Sequence, residues 1–233
     1  VRYSEIEEQL ADRKRSWTDF NVGASRFVRG LAKKVLIADT LSIYADAAFG
    51  ASPEALGVQA AWLGLTCYAF QLYYDFSGYS DMAIGMGRMF GFRFPENFDF
   101  PYASQSVREF WKRWHMTLSR WFRDYLYIPL GGNRRSPARV GLNLLFVFAL
   151  CGLWHGASWG FILWGLYHGC FLLSERLPWG GLFLKIPRFF RHAYLLGVVW
   201  IGWVFFRCET LEHAARYLRS MFWALDEEPS TRF

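Results

Sequence analysis

Residues 140–174 read VGLNLLFVFALCGLWHGASWGFILWGLYHGCFLLS and contain no Asp, Glu, Lys or Arg. One helix of about 35 residues would be ~52 Å long, whereas a helix of roughly 20 residues crosses the hydrocarbon core of a bilayer. The stretch therefore predicts two spans, or one span and a re-entrant turn, with a break between Gly152 and Trp159. His155 lies at this break. A polar side chain at membrane depth is costly, so His155 is a candidate functional residue; the alternative is a structural histidine bonded to a neighbouring helix.

The composition of the whole chain is that of a membrane protein. Of its 233 residues, 53% are hydrophobic and 20% aromatic, and the charged residues cluster between the apolar runs, as in membrane segments joined by basic loops. Attraction to anionic lipid headgroups explains the net charge of +6. We therefore expect membrane lipid as a partner and no nucleic acid. The four cysteines form no Cys-x-x-Cys pair, so neither a disulfide framework nor a metal site is expected.

Further membrane segments flank the central stretch. Residues 55–74 are uncharged and long enough to span the bilayer. Residues 192–206 form a shorter apolar run, which reaches membrane length if the flanking arginines extend to the surfaces. From Gly23 a basic, amphipathic pattern (Arg26, Arg29, Lys33, Lys34) predicts either a helix at the cytoplasmic interface or a solvated basic helix face.

A polar motif follows the span at residues 55–74. Asp75 and Asp81 enclose Ser77, Gly78 and Tyr79. Aspartate and serine favour turns and helix caps, so one interpretation is a turn here with a new helix after it. The other is that these polar side chains serve a function at the end of the span.

Residues 107–125 predict one amphipathic helix. Ser106 and Glu109 have the spacing of a capping box. An apolar stripe at three- and four-residue spacing runs from Val107 to Tyr125, and glycines beyond Pro129 end the pattern. His115 lies on this apolar stripe. It is either a core histidine with satisfied hydrogen bonds or a functional residue.

Several of these segments together resemble a known family. They are YDFSGYSDMAIG (74–85), ENF (96–98), FWKRWH (110–115), RDYLYIPLGGNR (123–134) and LWHGA (153–157). Their sequence and order resemble the membrane-bound O-acyltransferases, and within them the bacterial alginate O-acetyltransferase branch. The resemblance extends over nearly the whole chain.

The resemblance implies a fold and a site. It implies an all-α, polytopic integral membrane helical bundle with re-entrant and interfacial helices, in which residues 1–233 form one domain, the central part of a longer protein. It implies that His155 is catalytic and His115 its companion. We expect the two rings to share one cavity, where His155 takes a proton and His115 orients the acyl group or polarises its carbonyl. The remaining candidates for a substrate tunnel are Asp75, Ser77, Tyr79, Asp81, Trp114, Trp154 and Asn143.

The resemblance also implies a reaction. It is transfer of acetyl groups from a cytoplasmic donor, expected to be acetyl-CoA with no resident cofactor, to an exported polysaccharide such as alginate. The protein would cross the bacterial inner membrane several times. Its partners would be periplasmic acetyltransferases and polysaccharide export machinery. Two alternatives stay open: D-alanyl transfer to teichoic acids, and a membrane conduit or scaffold without chemistry.

Overall fold

The protein is built from helices. A computed structural model describes residues 2–13, 16–52, 55–177, 180–183 and 185–223. In chain order, the α-helices within these ranges are α1 Tyr3–Ala11, α2 Trp17–Ala32, α3 Asp39–Gly50, α4 Val58–Met89, α5 Val107–Arg113, α6 Met116–Phe122, α7 Pro137–His155, α8 Trp159–Ser174, α9 Gly180–Phe183, α10 Arg188–Arg207 and α11 Leu211–Ser220. A π-helical segment, Lys33–Ala38, joins α2 to α3, and a second, Arg123–Tyr127, follows α6. No β-strand occurs within these ranges, which confirms the helical prediction.

The uncharged central stretch forms two helices, as predicted. Helix α7 ends at His155 and α8 begins at Trp159, with Gly156 to Ser158 between them. Gly165 on α8 lies directly on the backbone of α7, where a Cβ atom would stand 2.9 Å from the carbonyl carbon of Phe148. The small residue is therefore what lets the two helices approach so closely.

Helix α4 contradicts one sequence interpretation, because it runs unbroken for 32 residues through the polar motif. The turn predicted at residues 75–81 is wrong. A carboxylate favours a turn when it bonds its own backbone, but these carboxylates have partners on another segment. Asp75 pairs with Lys34 at 2.9 Å, and Asp81 pairs with Arg26 at 2.9 Å and Lys33 at 2.6 Å.

Two glycine pairs hold α2 against α4. A Cβ atom on Gly23 would stand 2.6 Å from the carbonyl oxygen of Gly85, and one on Gly30 would stand 2.5 Å from that of Gly78. The two backbones touch at these points because neither has side chains there. The basic side chains Arg26 and Lys33, which the sequence assigned to a lipid or solvent interface, face the Asp81 carboxylate of α4 instead.

The predicted single helix at residues 107–125 is also wrong, because the chain breaks at Trp114 and His115. The beginning is correct: the Ser106 hydroxyl accepts a hydrogen bond from the Glu109 N–H at 3.0 Å. The break arises because the preceding loop takes over two backbone hydrogen bonds. The Asp99 N–H donates to the Arg113 carbonyl, and the Met116 N–H donates to the Asn97 carbonyl, both at 3.0 Å.

Membrane-crossing capacity is concentrated in the carboxyl half. By length and composition, α7 and α10 are able to cross a bilayer, and α8 is a shorter apolar helix of 16 residues. The run at residues 192–206 reaches this length as α10, which its terminal arginines extend to 20 residues. Helix α4, which contains the predicted span at residues 55–74, does not meet the same apolar criterion.

Candidate functional site

A cavity of about 290 Å³ lies between α5, α6, the segment after α6, α7 and α8. Helix α7 supplies one continuous stripe of its lining: Leu144, Val147, Phe148, Cys151 and His155. These positions follow helical spacing and cover 11 steps, so the stripe is about 16 Å long at 1.5 Å per residue. The cavity is an elongated groove along α7 with a histidine at one end.

His155, the last residue of α7, is surrounded by aromatic rings. Its ring centroid lies 5.2 Å from that of Trp164 and 5.1 Å from that of Phe206, both in edge-to-face geometry. Within the described residues, no hydrogen bond fixes either of its ring nitrogens. In the described part of the chain, ring packing orients this imidazole.

His115 reaches the same cavity from the break between α5 and α6. Its backbone is left-handed, with φ 43° and ψ 54°, a conformation that costs a residue with a side chain about 1–3 kcal/mol and persists only where the surroundings impose it. The carboxamide oxygen of Asn97 contacts His115 Nδ1 at 3.1 Å. Burial and the neighbouring His155 lower the pKa of His115 to about 4, so its imidazole is neutral at pH 7.

Trp154 contacts both histidine rings. Its ring centroid is 6.3 Å from that of His115 and 4.9 Å from that of His155. Both histidines line the one cavity although 40 positions separate them. The structure thus brings together the two residues that the sequence predicted to meet. Their catalytic roles stay predictions.

The other predicted tunnel residues divide into two groups. Trp114 is buried and lines the cavity, and Trp154 contacts both histidine rings. The remaining five, like Trp154, lie outside the cavity lining. Asp75 and Asp81 form the ion pairs with the α2 segment described above, Ser77 is buried within α4, Tyr79 is exposed, and buried Asn143 donates to the Leu130 carbonyl at 3.0 Å.

Basic side chains also line the cavity. Four cationic side chains line it: Arg108, Lys112, Arg123 and Arg176, which we call the basic rim. Asn133 and Tyr127 join them: the Tyr127 hydroxyl donates to Asn133 Oδ1 at 2.7 Å, and Arg176 donates to the same oxygen at 3.1 Å. Arg123 is paired with Asp124. No carboxylate stands among the described residues that line this cavity.

Sequence reasoning missed Asn97, the rim and Cys151 as parts of the site. Asn97 was visible only as the middle of the ENF segment, and nothing in its spacing from His115 indicates contact. The rim residues come from three separate segments (α5, the segment after α6 and the end of α8), so no local pattern unites them. A metal site was not expected. Among the described residues, no group of three or more His, Cys, Asp or Glu side chains is placed to hold a metal ion.

Comparison with known proteins agrees with this architecture. The sequence profile of the membrane-bound O-acyltransferase family matches residues 1–210. The chain belongs to this family. It is therefore a membrane protein, in keeping with the two helices that are able to cross a bilayer.

Individual relatives of the family can be compared over most of the chain. A probable alginate O-acetylase, AlgI, of Pseudomonas putida is 48% identical over 97% of this chain and 47% of its own length. A peptidoglycan O-acetyltransferase of Helicobacter pylori is 41% identical over 95% of this chain and 43% of its own length. A teichoic acid D-alanyltransferase of Bacillus subtilis is 39% identical over 52% of this chain and 33% of its own length. The chain spans about half the length of the first of these relatives.

Proposed function

We propose that the protein containing this chain is a membrane O-acetyltransferase that moves acetyl groups from a thioester donor to a hydroxyl of an exported polysaccharide. The observation that carries the proposal is the pair of histidines at one cavity, with Trp154 in contact with both rings. The names of the alginate and peptidoglycan relatives support a polysaccharide acceptor. By the same likeness, the location is the bacterial inner membrane, with several crossings, and periplasmic acetyltransferases and export machinery are the partners.

The cavity suits acyl transfer between a thioester and a hydroxyl. As the hydroxyl oxygen bonds to the carbonyl carbon, one imidazole accepts the hydroxyl proton. The other stabilises the negative charge that develops on the carbonyl oxygen. The carbon–sulfur bond then breaks, and the leaving thiolate takes up the proton from the first imidazole. His155 and the neutral His115, together in an aromatic pocket, fit these two tasks.

The shape and charge of the cavity favour acetyl-CoA as the donor. Coenzyme A carries phosphates at one end and its thioester at the tip of a long, narrow arm. The groove along α7 is about 16 Å long with His155 at one end, and Arg176 of the basic rim lies beside Tyr127 and Asn133 toward the start of α7. Phosphates on the rim would place the thioester near the histidines, because arginine forms charge-assisted hydrogen bonds with phosphate. The donor would enter from the rim side.

The test uses the full-length protein in liposomes with radiolabelled acetyl-CoA. Acetyl transfer is measured to alginate and peptidoglycan oligosaccharides, and D-alanyl transfer is measured with a D-alanyl thioester. We expect acetyl transfer that requires both histidines. D-alanyl transfer in its place would support the teichoic acid alternative, and no consumption of either thioester would support a conduit or scaffold.

A matched pair of substitutions tests the donor. Arg176→Gln removes a rim cation and should raise the KM for acetyl-CoA about 5-fold, or ~1 kcal/mol, with little change in kcat. Arg188→Gln removes an exposed cation at the start of α10, outside the cavity lining, and should leave both constants unchanged. Equal effects of the two substitutions would contradict the assignment of the phosphates to the rim.

A further inference from the structure

The carboxylate of Glu175 binds the first turn of α5 from another helix. Glu175 directly follows the last residue of α8. Its Oε1 accepts from the Val107 N–H at 2.7 Å, and its Oε2 accepts from the Arg108 N–H at 3.0 Å. These are the first two N–H groups of α5, which have no acceptor within the helix itself. Glu175 is therefore a cap supplied by a distant segment, whereas Ser106 caps the next N–H locally.

This contact joins the two segments that supply most of the basic rim. Arg108 and Lys112 are on α5, and Arg176 directly follows Glu175 in the chain. Glu175 is not among the described residues that line the cavity, and each of its carboxylate oxygens accepts a backbone N–H. Its effect on a bound donor would therefore be indirect, through the positions of the cations on either side of it.

The other end of α5 has a separate anchor. The loop at residues 97–99 forms two backbone hydrogen bonds with residues 113–116, both 3.0 Å long, and these hold the turn that contains His115. Loss of the Glu175 contact should therefore loosen the start of α5, which carries the rim cations, and leave the histidine end in place.

We propose that Glu175 is a positioning residue of the donor site, which holds the rim cations of α5 beside Arg176 before the donor phosphates bind. This inference rests on the proposed acetyl-CoA donor. A rim that is assembled in advance avoids the free-energy cost of ordering flexible side chains and their helix during binding. Glu175 therefore strengthens donor binding without contacting the donor, and it acts on KM more than on kcat.

The charge of Glu175 makes the sign of the effect informative. A carboxylate near the rim repels phosphate, so removal of the charge alone would tighten donor binding. Loss of the two hydrogen bonds frees the start of α5 and would weaken donor binding. The second effect should be larger, because Arg108, Lys112 and Arg176 are exposed and solvent screens the repulsion. Glu175→Gln should therefore weaken binding, the opposite of what charge alone predicts.

The first measurement is the binding of coenzyme A to the full-length protein in detergent, which requires no acyl transfer. Glu175→Gln should raise the Kd about 5-fold, because side chains must now be ordered on binding. Glu175→Asp keeps the charge but shortens the side chain, so it should raise the Kd as well.

Glu109→Gln is the matched control. It removes an equal charge from the same turn of α5, but the Glu109 carboxylate accepts from the Gln105 N–H at 2.9 Å, within its own segment, and forms no bond to α8. The Kd for coenzyme A should stay within about 2-fold of the parent.

The second measurement separates positioning from a merely structural role. The KM for acetyl-CoA should rise about 5-fold in Glu175→Gln, with kcat within about 3-fold of the parent. Partial unfolding would instead lower the amount of active protein and leave the KM of the folded fraction unchanged. In a protein that carries Arg108→Gln and Lys112→Gln, addition of Glu175→Gln should change the Kd less than about 2-fold, because the residues through which it acts are gone.

The third measurement observes the anchor itself. Hydrogen exchange in a peptide that covers residues 105–113, followed by mass spectrometry, should be faster in Glu175→Gln than in the parent, because the Val107 and Arg108 N–H groups lose an acceptor. Unchanged exchange would contradict the role of Glu175 as the anchor of α5, whatever the protein transfers.

The outcomes separate this inference from the proposed function. A parent protein that neither binds coenzyme A nor transfers acetyl groups contradicts the proposed donor, and the inference fails with it. A parent that binds coenzyme A contradicts the inference alone if Glu175→Gln leaves the Kd unchanged or lowers it, or if its effect adds in full to that of the two rim substitutions. If Glu175→Gln does not fold, Glu175→Asp decides, and an unchanged Kd in that variant overturns the inference.

Discussion

Gly165 offers a direct test of how the α7–α8 contact positions the site. A Cβ atom there would stand 2.9 Å from the carbonyl carbon of Phe148, 3.3 Å from the backbone nitrogen of Gly152, and closer still to the Phe148 carbonyl oxygen. These are backbone atoms, so no side-chain rotation relieves the clash. Gly165→Ala should therefore destabilise the protein by about 1–3 kcal/mol, the range for an overpacked core.

The same substitution should also slow catalysis. Gly152 lies three residues before His155 on α7, so moving this backbone moves the histidine. A separation of roughly 1 Å restores ordinary contact, and a misplacement of about that size costs ~10²-fold in rate. Gly169→Ala, one turn further along α8, is the matched control. Its nearest neighbour is a side-chain atom, Leu145 Cδ2 at 3.1 Å, which is able to turn aside.

The assay compares the two variants at equal abundance in membranes. Acetyl transfer from acetyl-CoA gives kcat, and thermal aggregation in detergent gives Tm. We expect a roughly 100-fold lower kcat and a lower Tm for Gly165→Ala, and less than about a 3-fold change for Gly169→Ala. Similar activity in both variants would refute the argument that backbone contact at Gly165 sets the position of His155.

Three further predictions concern separate parts of the chain. His155→Gln should lower acyl transfer at least ~100-fold without changing abundance in the membrane, since it removes one of the two imidazoles; retained activity, read in the same liposome assay, would contradict the site. Asp81→Asn should lower Tm more than Asp75→Asn does, because Asp81 is less exposed and has two cationic partners; an equal effect on Tm would contradict this. A cysteine at position 134 should react with a membrane-impermeant thiol reagent only from the cytoplasmic side, because short basic loops are retained there; rapid labelling from the periplasmic side would contradict it.

The sequence predicts helices and their ends well where uncharged runs, glycines or flanking arginines define them. The break at residues 156–158 is visible because an uncharged stretch is too long for one span and contains glycines. The membrane length of α10 follows from an apolar run with arginines at its ends. Both rest on properties that each segment carries by itself.

Predictions fail where a distant segment supplies the hydrogen bonds. The apolar stripe at residues 107–125 is a good helix pattern, yet Asn97 and Asp99 take over backbone bonds at residues 113–116 and end the helix there. Conversely, Asp81 is a residue type that favours a turn. Arg26 and Lys33 form ion pairs with its carboxylate instead, and α4 continues through this position. The contact between Asn97 and His115 depends on the same long-range hydrogen bonds between the loop at residues 97–99 and residues 113–116, so a single sequence cannot show it.

The paired glycines of α2 and α4 limit which changes in chain length the fold tolerates. Gly23 and Gly30 are seven residues apart, as are Gly78 and Gly85, and the pairs meet in antiparallel order. Inserting or deleting one residue between either pair turns one glycine about 100° away from the contact. A seven-residue insertion would restore the direction that the glycine faces but would move it about 10 Å along the helix axis, so the two pairs could no longer meet together. Length variation among related sequences should therefore fall outside residues 23–30 and 78–85, and engineered tags or reporter insertions belong in the loops that flank them.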